Sequence, residues 1–377
     1  MLRANLRASA SRGRVGCQGH GHAATRASWQ YVDGRVGARL SQLPSTSYSR
    51  QQPNIEEMSV DDVLFHGLRL VGFGGERQNV RRTLNIARFT SHYGPEPDTT
   101  RDILRDLKRD FPTIIFKDAM MTFNWAKRCE VTRLSPRIYF ALTFAHNHKQ
   151  DDVEHVLAGR WGYGEDYIRD KVKEIARCIQ SYKPRLIVLD PTLFHEDERD
   201  WITVDGVNFI TEEFRQNPSP DYYDPKSNSC GLKYEFALAI RHPFCVWIRG
   251  PLEAGKFHDK TVYCGGTEDV PKDKRNQEAL YFQLPEGKYA LGDSAYKGID
   301  NVTIKREGQT KEVKYFIDRA LNRQETYHGR LEKFDILKQR FRHGNSTENK
   351  KSLHQTAVEM VAVIVHYDLK RRPLFEV

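Results

Sequence analysis

The stretch Trp201-Ile202-Thr203-Val204-Asp205-Gly206-Val207-Asn208-Phe209-Ile210 sets one acid inside an apolar run. Its β-branched and aromatic residues predict a strand. A second run, Tyr289-Ala290-Leu291-Gly292-Asp293-Ser294-Ala295-Tyr296, carries an acid in the same way. A third acid, Asp259, follows His258, and a fourth, Glu325, lies within a long basic helical stretch. Acids at strand ends, opposed by one on a helix, are how a chain gathers oxygen ligands for divalent cations. Asp205, Asp259, Asp293 and Glu325 are therefore the candidate metal ligands. Each has a plainer reading. An Asp before Gly is a common turn former, Asp259 can cap a following helix, and Glu325 can be a surface charge. No Lys or Arg stands three or four residues from Glu325, so a local ion pair explains it poorly.

Working outward, WITVDGVNFI, LKYEFALAI and PFCVWIRGPL form three apolar or alternating runs that read as strands. A loop with Gly255 and a short helix follow, then a second helix near Lys272–Phe282, then the strand YALGDSAY. KEVKYFIDRALNRQETYHGRLEKFDIL predicts a long helix whose buried face is marked by Val313, Ile317, Ala320, Leu321, Tyr327 and Leu331. On such a helix Glu325 falls about 40° from Leu321 and about 80° from Ile317, at the edge of the buried face. Three meandering strands, a helix, a fourth strand and a helix is the order of a ribonuclease H-like core. In that core the first and fourth strands are neighbours, which would bring Asp205 and Asp293 together with Glu325 approaching from the helix. Carboxylates so close repel, and at least one resists ionising without metal.

Residues 58–185 read as mostly helical. Leu104, Leu107 and Phe111 recur at helical spacing, with Pro112 ending that helix. Ile168, Val172, Ile175, Ala176 and Ile179 mark an amphipathic helix. The apolar segment HVLAGRW and the turn Gly162-Tyr163-Gly164 precede it, which is the outline of a helix-turn-helix or of an ordinary helical pair. Arg169, Lys171, Lys173 and Arg177 on or beside its exposed face favour DNA contact. Residues 1–57 are rich in Arg, Ser, Ala and Gly without apolar period, and read as a disordered basic tail or a transit-like segment. They could also be upstream sequence joined in error, with Met58 as an alternative start. The expected organisation is this tail, a helical region over 58–185 and an α/β catalytic domain over 198–377.

The 377 residues carry a net charge of +9, but the first 50 hold eight Arg and no Lys against Asp33 alone, which is +7 of it. Residues 301–344 hold eleven Lys and Arg against six Asp and Glu. A basic stripe beside an acidic metal site suits a phosphodiester substrate, and a solvated helix face is the bland alternative. Lys226, Lys256, Arg340, Arg342 and His343 are the candidate phosphate contacts. The six cysteines form no CxxC pair, and no Cys near His146 and His148 completes a zinc spacing, so neither a zinc module nor a disulfide framework is indicated. No run reaches the ~18 apolar residues of a membrane helix. The segment AVEMVAVIVHY, interrupted by Glu359 and His366, reads as a buried helix near the end of the sequence.

The ordered string VDGVNF, YYDPKSNSCGLKYEFALAI, GPLEAGKFHD, LGDSAYKG, RQETYHGRLEKF, RFRHG and PLFEV resembles the DDE superfamily endonuclease domain of Harbinger-type transposases, over about Val156 to Val377. The resemblance implies a metal-dependent DNA endonuclease and strand transferase. By position Asp205 matches the family's first acid, Asp293 the acid of its GDSGY-like motif, Glu325 its helical Glu, and Asp259 a further metal ligand. The family often has His where this chain has Asn208. HVLAGRWGYGEDYIRDKVKEIA resembles the family's upstream helix-turn-helix. The resemblance further implies Mg²⁺ or Mn²⁺ as cofactor, DNA as substrate, a nuclear setting and a separate DNA-binding partner protein. A mitochondrial setting follows instead if the Arg-rich segment is a signal. A domesticated, non-catalytic DNA-binding or regulatory protein that keeps the fold is the alternative from another class.

Overall fold

Strand β1, Asp200–Ile210, is the centre of the molecule and pairs along both of its edges. The computed structural model describes residues 59–73, 81–111, 145, 147–161 and 164–377. The expected tail over 1–57, Met58, Pro112, His146 and the Gly162-Tyr163 turn lie outside the described residues.

Helices α1 (Val60–Leu70), α2 (Arg82–Tyr93), α3 (Pro97–Asp110), α4 (Glu154–Trp161), α5 (Glu165–Gln180) and the single turn α6 (Lys183–Leu186) precede β1. After it come β2 (Tyr223–Asp224), β3 (Ser229–Ala239), β4 (Cys245–Glu253), α7 (Asp259–Cys264), α8 (Leu280–Gln283), β5 (Tyr289–Leu291) and β6 (Val302–Thr303). The long helix α9 (Lys311–Leu331), the turn α10 (Asp335–Lys338) and helix α11 (Thr347–Leu369) complete the order. The fold is mixed α/β. Its six-stranded sheet runs β2-β3-β1-β5-β6, with β4 also on β3. β1, β3 and β4 are antiparallel neighbours, whereas β5 lies parallel to β1 and β6 parallel to β5.

The antiparallel register explains how one strand serves two apolar layers. Opposed residues share a face. Thr203, Asp205, Val207 and Phe209 therefore share one with Leu238, Phe236, Tyr234 and Leu232, their register partners. That face packs into a cluster with Val358 and Val361 of α11 and with Leu68, Phe89 and Ile175 of the preceding helices. The cluster runs without a break from the helical region into the sheet. Ile202, Val204, Ala237 and Ala239, in the opposite phase, pack with Tyr263 of α7, Leu280 of α8 and Val302 of β6. A slip of one residue would exchange the two sets, so burial on both faces fixes the register.

Helix α11 is buried almost all round between Thr356 and Tyr367. Its one interior carboxylate, Glu359, accepts from Gln180 at 2.7 Å and Gln355 at 3.0 Å and pairs with Lys183 at 3.2 Å. Those contacts satisfy a charge that would otherwise be costly there. No helix among the described residues is long and apolar enough to cross a membrane. Arg372 ties the end of the chain to α3, with Asp98 at 2.9 Å and Glu96 at 3.0 Å.

Two local expectations are corrected. Lys272–Phe282 is not one helix: a 3₁₀ turn spans Lys272–Lys274 and α8 begins at Leu280. Asn276 breaks it, because its side chain accepts from Glu278 N at 2.9 Å and its amide bonds Gly265 O at 2.9 Å. Val313 is exposed, since it sits one turn before Ile317, where α9 first meets Leu291 and Ile240. Among the described cysteines, Cys178, Cys230, Cys245 and Cys264 are free.

Met360 on α11 is fully buried, so Met360→Ala should destabilise the protein by about 2–5 kcal/mol. Tyr315→Ala on the exposed face of α9 should stay within about 0.5 kcal/mol of wild type. Denaturant midpoints of the two variants check the assignment, and equal shifts would contradict it.

Candidate metal centre

Parallel pairing of β1 and β5 sets Thr203 opposite Leu291. Two residues further along each strand stand Asp205, still within β1, and Asp293, just beyond β5. Asp293 begins a 3₁₀ turn, and its Oδ1 accepts from Ala295 N at 2.8 Å. The turn holds the carboxylate at the mouth of the sheet, where it is exposed. Glu325 projects from α9, which crosses the same face of the sheet, and is exposed as well.

Asp205 is largely desolvated. Its Oδ1 accepts from Gly206 N at 2.8 Å, and its side chain is mostly covered. Burial pushes its carboxyl up to about 7. The Gly206 N–H works against that, and the charges of Glu325, Asp259 and Asp293 add to it. All three other candidate acids therefore act on Asp205 through space. One ligand atom each of Asp205, Glu325 and His328 lies within 4.8 Å of the others, close enough to hold a metal ion. His328 Nδ1 is 3.6 Å from Asp205 Oδ2. His328 is buried, and burial holds its ring down at about 4, so it is neutral at ordinary pH.

Asp259 takes a different place. It is the first residue of α7 and does not cap it, since His258 holds the cap position and no side chain bonds the helix end; its carboxylate reaches back over β1 instead. A Cβ built on Gly206 would lie 1.9 Å from Asp259 Oδ1, so only glycine lets that carboxylate rest on the strand. Gly206 follows Asp205 and points to the other face of the sheet. Asp259 thus neighbours Asp205 across the strand, and Lys233 Nζ, itself buried, holds its Oδ1 at 2.9 Å. Among the described residues, neither Asp259 nor Asp293 joins a close group of three metal-binding side chains. Asn208 donates to Asp224 Oδ2 at 3.0 Å.

The basic residues divide. Lys226 and Arg340 are exposed, and Lys256 lies 3.7 Å from Asp221. Arg342 and His343 both turn to Asp151, at 3.5 Å and 2.8 Å. Within 301–344, Arg323 is buried on the carbonyls of Ala239 and His242, Arg330 pairs with Asp368 at 3.1 Å, and Lys305 pairs with Asp318 at 2.5 Å. Arg323 and Arg330 are therefore structural, whereas Arg306, Lys311, Lys333, Lys338 and Arg340 are exposed. On α5, Arg169 is held by Glu154 of α4 and by Asp166, and Lys171 by Glu174 at 2.8 Å, whereas Arg177 is exposed.

Sequence reasoning missed His328, Gln324, Thr203 and Lys233 at this site. The i, i+3 spacing of Glu325 and His328, which puts both on one helix face, was the available signal. Compared with known proteins, the chain matches no family model, no curated protein and no solved structure.

Protons and cations compete for Asp205. Below about pH 7 its carboxyl holds a proton, so apparent Mn²⁺ affinity should fall by up to about tenfold per pH unit on acidification. In the metal-free protein the raised value has its own sign. The stability Asp205 contributes is full below the unfolded carboxylate pKa and is lost as pH rises through about 7. Calorimetric titration with Mn²⁺ at several pH values checks the first statement, and affinity flat from pH 5.5 to 8 would contradict it.

Proposed function

We propose that residues 198–377 form a ribonuclease H-like catalytic domain and that the protein is a divalent-metal-dependent DNA endonuclease and strand transferase of the Harbinger transposase type. The observation that carries this reading is the β1–β5 register, which sets Asp205 in β1 and Asp293 just past the end of its parallel neighbour β5, with the charges of Asp293 and of Glu325 on α9 both acting on Asp205. Strand order supports it. Three antiparallel strands β4-β3-β1, extended by β5 and β6 parallel to β1, are the arrangement such a core needs. The motif string from VDGVNF to PLFEV falls on these same elements.

The donor set fits a hard cation. Carboxylate oxygens dominate it, two of them on exposed side chains that leave room for a phosphate. Asp205, Asp293 and Glu325 would hold Mg²⁺ or Mn²⁺, with Asp259 close behind on the far side of β1. When bound, the cations supply positive charge against the phosphodiester oxygens and acidify the attacking water. The chain's own residues do the rest. Asp205, desolvated and fixed by Gly206 N–H, is a rigid ligand. Asp293, pinned by Ala295 N–H, is a second. Glu325 closes the site from a helix anchored by Ile317, Ala320 and Tyr327. Rigid placement of this kind is the protein's main contribution to phosphoryl transfer.

The substrate on this reading is DNA, nicked at an element's end to free a 3′-hydroxyl that then attacks target DNA. α4 and α5 would serve as a helix-turn-helix, with Arg177 and Lys173 the better placed for phosphate. A nuclear setting and a separate DNA-binding partner belong to the same proposal.

Asp293→Asn and Glu325→Gln should each lower Mg²⁺-dependent nicking of DNA carrying candidate element ends by roughly 10³-fold, with DNA affinity held within about threefold. Gel assays of nicking and binding read both quantities. Near wild-type nicking by either variant would sink the assignment.

A further inference from the structure

Thr203, Gln324 and His328 form a buried polar chain that ends on Asp205. Thr203 Oγ1 donates to Gln324 Oε1 at 2.6 Å, and Gln324 Nε2 donates to the Phe236 carbonyl at 3.3 Å. The same Nε2 lies 3.1 Å from His328 Nε2. An amide nitrogen has only hydrogens to offer, so His328 Nε2 must meet it with a lone pair. Turning the amide over would press Gln324 Oε1 against the Phe236 carbonyl oxygen, two acceptors face to face in a buried site. At 0%, 1% and 6% exposure, Thr203, Gln324 and His328 have almost no solvent to relieve that clash. The single ring proton of His328 therefore sits on Nδ1, and Nδ1 is the atom 3.6 Å from Asp205 Oδ2.

We propose that His328 is a positioning residue and not a metal ligand: Gln324 fixes its tautomer so that Nδ1–H faces Asp205 and orients that carboxylate. At 3.6 Å the contact is one of charge and dipole, slightly longer than a hydrogen bond. The consequence is cation choice. An Asp, Glu and His set with a free imidazole nitrogen would suit zinc, but with Nδ1 protonated only oxygens remain, and those suit Mg²⁺ or Mn²⁺. Partners of this kind, which orient a ligand, shift metal affinity by about 10–100-fold when removed. The cation choice rests on the proposed metal site, whereas the tautomer does not.

The test uses the full chain labelled with ¹⁵N-histidine, with His328→Asn to assign the signal. In the metal-free protein the His328 ring should show the neutral, Nδ1-protonated form, and an Nε2-protonated ring overturns the inference. Pulsed EPR of the Mn²⁺-loaded protein should show no directly coordinated nitrogen, and a ¹⁴N coupling that disappears in His328→Asn overturns it. His328→Asn keeps an N–H donor near Nδ1, so its Mn²⁺ affinity should stay within about threefold of wild type, against a loss of about tenfold or more in His328→Ala. Equal losses in both contradict the donor role. Failure of Mn²⁺ to bind wild-type protein would count against the proposed metal site, while the metal-free tautomer would still decide the role of Gln324.

Discussion

Parallel pairing of a three-residue strand, β5, on the central strand β1 is the constraint from which the candidate centre follows. It fixes Asp293 beside Asp205, and both elements are held from below by the apolar layer of Val204, Ala290 and Val302. The acids repel, and the fold meets that repulsion by leaving two of them in solvent and giving the covered Asp259 a lysine partner. Asp205 has its carboxyl raised by burial, while Asp293 and Glu325 remain in contact with solvent. Lys233 adds a positive charge behind Asp259. Like charges gathered in this way oppose folding, a cost that a cation bound as proposed would offset.

The two faces of the sheet hold different acids. On one face α9 and α11 press against β1 and β3, carrying the polar chain from Thr203 to His328 within otherwise apolar packing. On the other face, Gly206 makes room for Asp259. A single Asp-Gly pair in mid-strand thus presents one acid forward and accepts another from behind. Its meaning in the fold is the opposite of the turn that Asp-Gly usually signals.

Much of this was legible in the sequence, for a local reason. Trp201–Ile210, Leu232–Ala239 and Cys245–Glu253 are strands because their apolar and β-branched residues suit two-sided burial, and that pattern is visible without the fold. The phase of α9 could likewise be read from Ile317, Ala320, Tyr327 and Leu331. What could not be read depends on partners distant in sequence. Burial of Arg323, Gln324 and His328 on α9 runs against the apolar pattern and follows only from the carbonyls of Ala239 and Phe236 above them. The position of Asp259 depends on a glycine 53 positions earlier. The basic stripe over 301–344 resembled a nucleic-acid surface, yet Arg323 and Arg330 serve the interior and Asp368. Charge counted along a chain does not say which charges face solvent.

The central claim is that Asp205, Asp293 and Glu325 converge on a bound divalent cation. X-ray diffraction from crystals grown with Mn²⁺, with anomalous data collected at the manganese edge, measures this directly. The account predicts a peak between those three carboxylates, with His328 turned to Asp205 and outside coordinating distance. An anomalous map with no peak there, or with manganese bound only elsewhere on the protein, would contradict it.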